Sequence, residues 1–232
     1  MIADVDIATV GAVLADRSRA AMLLALLGGE AITAGELARI AGRSPSGASG
    51  HLRALRDAGL VVAEDAGRNR FFRLASSEIA DALEMLARIA PRRPPRTLRQ
   101  SEAARAIKRA RTCYDHLAGE LGVAVSEALL ERRLLGRYDE SFRVTAAGRV
   151  WFGELGIELA AVERQRRNFA RACIDWTERR PHLAGALGAA LAEVFFARGW
   201  VRRLPGGRAV ALTPGGRKWL AREFGLVASR SE

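Results

Sequence analysis

Lysine is nearly absent from this chain: Lys108 and Lys218 are the only two among 232 residues, so arginine carries almost all of the positive charge. Such a bias can reflect genomic base composition, and the formal charge of +11 therefore carries less weight than where the charge sits. Cysteine is scarce too. Cys113 and Cys173 are too few for a secreted disulfide framework and agree with a reducing compartment. No apolar run approaches the roughly 18 to 20 residues that cross a bilayer. The start, Met1, Ile2, Ala3 and Asp4, lacks the basic lead-in of a signal peptide. A cytoplasmic protein with no membrane partner is expected. Also missing are a Gly-rich phosphate loop, a paired-histidine metal motif and a Gly-x-Ser-x-Gly elbow, so an enzyme is not expected and no cofactor is assigned. A thiol enzyme built on Cys113 and His116 is the weaker alternative.

What is present is 49% hydrophobic and 27% charged, the balance of a globular chain long enough for two domains. Residues 1–76 hold 9 basic against 8 acidic side chains, and residues 101–232 hold 23 against 15. Within residues 43–73, however, Arg43, Arg53, Arg56, Arg68, Arg70 and Arg73 face only Asp57, Glu64 and Asp65. That segment is locally positive.

Apolar spacing and capping residues predict a run of helices. Ile7, Val10, Val13 and Leu14 mark the first, over residues 7–15. Asp16 caps a second with a stripe of Ala20, Leu23, Leu24 and Leu27, closed by Gly28 and Gly29. Thr33 caps a third, carrying Leu37 and Ile40 and stopped at Gly42. Ser44 followed by Pro45 opens a fourth that buries Leu52 and Leu55 and ends at Gly59. Leu60 to Val62 and Phe71 to Leu74, around a turn through Gly67, predict a hairpin. A further helix over Ser77 to Ile89 presents Ile79, Leu83, Leu86 and Ala87. Pro91, Arg92, Arg93, Pro94, Pro95 and Arg96 then break the pattern. The reading is a first domain over 1–90, a linker over 91–100 and a second domain over 101–232.

The second domain repeats itself. Ala110, Arg111, Cys113 and Asp115 return as Ala170, Arg171, Cys173 and Asp175. Leu117, Ala118, Gly119 and Gly122 return as Leu183, Ala184, Gly185 and Gly188. Thr145, Gly148, Arg149 and Trp151 return as Thr213, Gly216, Arg217 and Trp219. The cysteines are 60 apart and the threonines 68, so the second copy carries insertions. Two repeats, about 105–158 and 165–228, each ending in a β-prone stretch and a capped helix, are read as degenerate winged-helix units. The fold class expected is mainly α with small β-hairpin wings.

A helix, a tight glycine turn and a second helix opening on small polar residues is the plan of a DNA reader, whose second helix must bring its N-terminal side chains to base edges. Ser44, Ser46, Gly47, Ser49 and Gly50 keep that face small and rich in hydroxyls. Arg53 and Arg56 share a face that can meet phosphates, and His51 reads as a packing or phosphate-contacting residue. Gly67, Arg68, Asn69 and Arg70 form a cationic hairpin tip suited to a minor groove or backbone.

These motifs resemble the ArsR family of transcriptional regulators. The resemblance runs over residues 7–90, through Leu14 to Arg19, Gly35 to Ala38, Ser44 to Leu52 and Leu55 to Val61. It implies five helices and a wing, a homodimer formed through the first and last helices, and repression of an imperfect palindrome relieved by a ligand. Ser44, Ser46, Gly47, Ser49 and His51 fall on the family's recognition-helix positions and Arg68 on its wing. Metal-sensing members carry cysteine pairs on the third helix or carboxylate and histidine pairs on the last. Here those places hold Glu36, Leu37, Ala38 and Arg39, and Ser77, Glu78, Ile79 and Asp81, so neither site can be assembled. An architectural DNA-binding or protein-interaction module without an inducer is the alternative function.

In the second domain the plainest reading of Cys113 and Cys173 is small buried hydrophobes at matched positions. The sharper reading is a thiol-reactive or soft-metal sensor in which His116, three residues after Cys113, can share its face, whereas His182 follows Pro181 in an inserted segment and is not expected to reach. No metal site is assigned. A third reading is a small-molecule pocket framed by Tyr114, Trp151, Trp176 and Trp219.

Overall fold

The computed structural model describes residues 5–91, 94–95 and 97–226. Met1 to Asp4, Arg92, Arg93 and Arg96 of the expected linker, and residues 227–232 lie outside them. The chain divides into two compact units, one of residues up to 87 with 206–208, the other of the remaining residues from 88 onward.

The N-terminal unit begins with α1 (Ile7–Leu14), whose Asp6 cap accepts from the Thr9 amide. In α2 (Arg17–Leu26) the Asp16 carboxylate accepts from the Ser18 and Arg19 amides, meeting two of the donors a helix start leaves unpaired. The buried stripe of α2 is Met22, Leu23, Leu26 and Leu27; Leu24, expected inside, is 44% exposed. One helical position of phase decides this, because α2 packs against α3 and α4 together. A short β1 (Ile32–Thr33) leads into α3 (Ala34–Ile40), capped by Thr33, and Gly42 at φ +65° turns the chain to α4 (Pro45–Asp57). Next come β2 (Val61–Ala66) and β3 (Asn69–Leu74), joined by the two-residue turn Gly67 and Arg68, with Gly67 at φ +60°. β1 adds to the far side of β3, pairing Ile32 with Phe72, an element too short to read from the sequence. α5 (Ser77–Ile89) buries Ala80 and Leu83. Leu37, Leu52, Leu55, Phe72 and Leu74 close the core.

α1 buries nothing of its own, and Ile7 and Val10 are exposed, as are Met85, Leu86 and Ile89 along α5. The predicted stripes are therefore open only in part, at Ile7 and Val10 on α1 and at Leu86 on α5, whereas Leu83 is buried.

The C-terminal unit starts with α6 (Leu98–Arg109), which begins inside the stretch expected to be linker. From there the order strand, strand, helix, strand, strand, helix occurs twice. The first pass is β4 (Arg111–Cys113), β5 (His116–Ala118), α7 (Gly119–Glu131), β6 (Leu135–Tyr138), β7 (Ser141–Val144) and α8 (Ala146–Glu154), followed by the short α9 (Leu159–Glu163). The second is β8 (Arg171–Ile174), β9 (Pro181–Ala184), α10 (Gly185–Ala197), β10 (Val201–Arg203), β11 (Val210–Leu212) and α11 (Pro214–Phe224). A winged helix-turn-helix needs two consecutive helices before its hairpin, and each pass has only one. The chain enters α7 and α10 directly from a strand through Gly119 and Gly185, leaving no room for another. Neither pass repeats the consecutive-helix arrangement of α3 and α4.

The two passes exchange strands. β7 joins β8 through Ser141 and Arg171, making one antiparallel sheet in the order β6-β7-β8-β9. Reciprocally, the Val210 amide donates to the Ala110 carbonyl and Arg111 bridges Ala209, bringing the β10-β11 hairpin to β4. α7 lies on β9 and α10 on β5. A single core runs through both passes, including Leu121, Leu129, Phe152, Leu187, Phe195 and Trp219.

Candidate nucleic-acid interface and a buried C-terminal cluster

The opening of α4 is built by its own residues. Ser44 accepts from the Gly47 amide at 3.2 Å, and Pro45 occupies the first turn, where no amide is needed. Ala48, Leu52 and Leu55 turn inward as one apolar stripe. Ser44, Ser46, Gly47, Ser49, Gly50, Arg53 and Arg56 are all exposed on the opposite side. The Ser46 hydroxyl meets that of Ser44 at 3.2 Å, and Ser49 donates to the Pro45 carbonyl at 3.1 Å, leaving its lone pairs outward. The result is a low, hydroxyl-rich helix face with no bulky side chain before Arg53.

His51 is half-buried, with Nδ1 3.4 Å from the Asp16 carboxylate that caps α2. Arg43 donates at 2.8 Å to the buried Ser18 hydroxyl on α2. Both contacts set α4 against α2, so they orient the exposed face rather than belong to it.

The arginines divide into two groups. Arg70 forks onto Asp65 at 2.7 and 3.0 Å, Arg73 lies 2.8 Å from Glu64, and Arg56 lies 3.3 Å from Asp57. Those charges are already partly answered. Arg53 on α4 and Arg68 at the hairpin tip make no ion pair among the described residues, and both are exposed. Asn69 sits beside Arg68, paired with Ala66 across the hairpin.

In the C-terminal unit the sequence-predicted residues fall into three places. Trp151 and Trp219 are core: Trp219 stacks on Trp200 at 3.9 Å between ring centroids, and Trp151 donates to Glu223 at 2.8 Å. Trp176 lies under the Arg111 guanidinium, 5.0 Å from it. Tyr114 takes φ +59° in the β4-β5 turn. These four aromatics do not frame one pocket. A cleft of about 360 Å³ lies elsewhere in the unit, against Ala106, Leu121, Val210 and Leu220, and touches none of them.

Cys113, His116, Cys173 and His182, in contrast, come together. Cys113 opposes His116 across β4-β5, and Cys173 opposes His182 across β8-β9. Their ligand atoms all lie within 4.8 Å of one another. His182, not expected to reach, has its Nε2 3.2 Å from that of His116. The six extra residues between Cys173 and His182 lie in the β8-β9 loop before Pro181, so they lengthen the turn and leave His182 in register with His116. The repeated stretch His-Leu-Ala-Gly at 116 and 182 is the signal that aligns them.

Behind each imidazole stands a carboxylate answered by an arginine. His116 Nδ1 is 3.3 Å from Asp115, which pairs with Arg167. His182 Nδ1 is 3.8 Å from Asp175, which pairs with Arg111 at 2.8 Å. Burial alone would push the His116 imidazole down, but Asp115 and then Cys173 outweigh it and raise it to about 9. The Cys173 thiol is held far below its usual value, first by the hydrogen bond with Cys113 and, against burial, by His116 and His182. His182 is lowered, mainly by burial and then by the charge of His116.

A helix-turn-helix with a winged hairpin and a polar, open second helix defines a DNA-binding transcriptional regulator. Residues 14–63 match the family described as helix-turn-helix domain. The chain is 42% identical over 212 residues to the uncharacterized HTH-type transcriptional regulator YdfF of Bacillus subtilis, covering 91% of this chain and 94% of that one. It is 42% identical over 83 residues to the HTH-type transcriptional regulator CmtR of Mycobacterium tuberculosis, covering 36% and 70%. Among solved structures, HlyU from Vibrio cholerae aligns at 30% identity over 36% of this chain and 89% of that one, with a TM-score of 0.34. The chain belongs to the helix-turn-helix (HTH-type) transcriptional regulators. Its relationship to YdfF spans both units. No helix among the described residues is long and apolar enough to cross a membrane.

Proposed function

We propose that this regulator is a cytoplasmic homodimeric repressor that reads an imperfect palindrome with α4 and the β2-β3 wing, and that a signal received by the C-terminal unit releases it. The observation that carries the reading is the exposed face of Ser46, Gly47, Ser49 and Gly50, flanked by the exposed cations Arg53 and Arg68, which make no ion pair among the described residues. Hydroxyls of that size reach base edges in a major groove, and the two arginines lie where phosphates flank it. Ser44 and His51 hold the helix in place, and Asn69 and Arg70 add to the wing. Dimerisation through α1 and α5 is supported by their open apolar residues, Ile7, Val10, Met85, Leu86 and Ile89, which a two-fold partner would cover. The C-terminal unit reads as an internal duplication whose halves exchanged strands, with a cleft of a size that takes a small molecule.

Anisotropy titrations with a selected site and with random duplex test this reading. A specific reader is expected to prefer its site by about 10³-fold or more, whereas an architectural binder would show no preference. Arg68→Ala should weaken binding to every duplex alike and flatten the salt dependence by about one phosphate, a slope change of roughly 0.9. Ser46→Ala or Ser49→Ala should instead relax base preference at one position, by about 1–3 kcal/mol at most. Equal affinity for all duplexes together with an unchanged salt slope in Arg68→Ala would sink the proposal.

A further inference from the structure

We infer that Cys113, His116, Cys173 and His182 form a closed four-coordinate site for a thiophilic divalent cation of the zinc class, which clasps the two passes of the C-terminal unit together. The chain has two cysteines and three histidines, and all but His51 meet here. Composition so sparse makes a chance gathering of soft ligands improbable on its face. Two sulfurs and two imidazole nitrogens are the donor set that such ions take in tetrahedral structural sites.

The geometry agrees. Metal-to-nitrogen bonds of about 2.05 Å in a tetrahedron put two nitrogens about 3.3 Å apart. The two Nε2 atoms are 3.2 Å apart. The Asp115 carboxylate lies 3.3 Å from Nδ1 of His116, so once Nε2 gives up its proton to an ion the remaining proton would be held on the Asp115 side, as by an outer carboxylate behind a ligating imidazole. Asp175 stands on the same side of His182, whose Nδ1 is buried without a hydrogen-bond partner.

Charge also balances. Two thiolates neutralise a divalent ion, and each outer carboxylate is matched by its own arginine, Arg167 or Arg111. Cys113, His116 and His182 are buried, so four protein ligands would close the site to water and substrate, the arrangement of a structural centre. Each pass supplies one cysteine and one histidine from a cross-strand pair. An ion held there would therefore tie β4-β5 to β8-β9. The inference is independent of operator recognition, which rests on the N-terminal unit.

The test is made on the full chain, reduced and freed of metal with a chelator, then titrated with cobalt(II) and with zinc(II). One cobalt per chain is expected, with the intense visible bands of a tetrahedral ion and ultraviolet thiolate-to-cobalt charge transfer, both erased by one equivalent of zinc. Asp115→Asn should weaken cobalt binding by about 10- to 100-fold, and Cys113→Ser or Cys173→Ser by more, with loss of charge-transfer intensity. If a serine variant fails to fold, the wild-type spectrum still decides, because only thiolate ligation produces that band. A reduced wild-type chain that takes up neither ion at micromolar concentration overturns the inference. So does binding that lacks the thiolate band, or that persists unchanged in a folded Cys113→Ser protein. None of these outcomes alters the anisotropy titrations, so the two proposals stand or fall separately.

Discussion

Asp175→Asn is expected to destabilise the C-terminal unit by about 3–5 kcal/mol, the cost of leaving a buried charge without its partner. Arg111 and Asp175 are both fully buried and 2.8 Å apart. The carboxylate does more than answer the arginine. Its Oδ2 also accepts from the Gly119 amide at 2.7 Å, and its Oδ1 accepts from the Thr177 amide and hydroxyl at 2.8 and 2.6 Å. An asparagine of the same shape offers one oxygen and two donors where the carboxylate offered two oxygens, so one cluster of donors must face an N–H group. Arg111 keeps its contacts to the Ile107 carbonyl and Trp176, but neither carries a negative charge. Urea unfolding of chelator-treated protein, followed by tryptophan emission, measures the effect. Trp151, Trp176, Trp200 and Trp219 all lie in the C-terminal unit, so emission reports on that unit alone. A loss below about 1 kcal/mol would mean that the Arg111 charge finds water after the substitution, and the pair would then not be the anchor of β4 to the β8-β9 loop.

The N-terminal unit was legible because its helix boundaries are written in single residues. Asp16, Thr33 and Ser44 each accept from an amide of the first turn, and Gly42 and Gly67 each take a positive φ at a turn. What the sequence could not supply there was pairing. Arg70 and Arg73 count in the sequence towards a locally positive segment, yet hairpin register puts Asp65 against Arg70 and brings Glu64, two positions along from the partner of Arg73, within reach of it. His51 likewise meets Asp16 only through the packing of α4 on α2. In the C-terminal unit the repeat was visible and its consequence was not. His116 and His182 are 66 apart, the offset of the Leu-Ala-Gly stretch that follows each, whereas the cysteines are 60 apart, so the sequence shows the histidines as equivalent without placing them beside the cysteines. The longer β8-β9 turn accounts for the difference. A site assembled from two cross-strand pairs has no local spacing to recognise, unlike ligands on one helix or one loop. The aromatics misled for a related reason: side chains that are frequent in pockets are also the largest core fillers, and Trp219 is held between Trp200 and Phe195.

The repeated Thr-x-x-Gly at 145–148 and 213–216 makes the last expected result a paired one: Gly148→Ala and Gly216→Ala should each destabilise the unit by about 1–3 kcal/mol or more, while Gly153→Ala in the same helix as Gly148 should stabilise it by about 0.5–1 kcal/mol. The two corners are built alike. Thr145 accepts from the Gly148 amide at 2.9 Å and donates to the Arg133 carbonyl at 2.7 Å, and its own amide donates to the Leu134 carbonyl at 3.1 Å. Thr213 repeats this with Gly216 at 3.0 Å, Gly199 at 2.7 Å and Trp200 at 2.9 Å. These bonds draw the start of α8 or α11 onto the chain entering β6 or β10. No space remains for a side chain. A Cβ on Gly148 would overlap the Leu134 carbonyl oxygen and lie 3.0 Å from its carbon, and one on Gly216 would overlap the Trp200 carbonyl oxygen and lie 2.9 Å from its carbon. Backbone cannot swing aside as a flexible side chain can, so either the helix start shifts or the threonine bonds stretch. Gly153 has open space where its Cβ would stand, and alanine there gains helix propensity without a clash. Thermal unfolding followed by tryptophan emission compares the three variants. Equal effects of Gly148→Ala and Gly153→Ala would show that the cost is backbone freedom alone and that the close approach carries no energy.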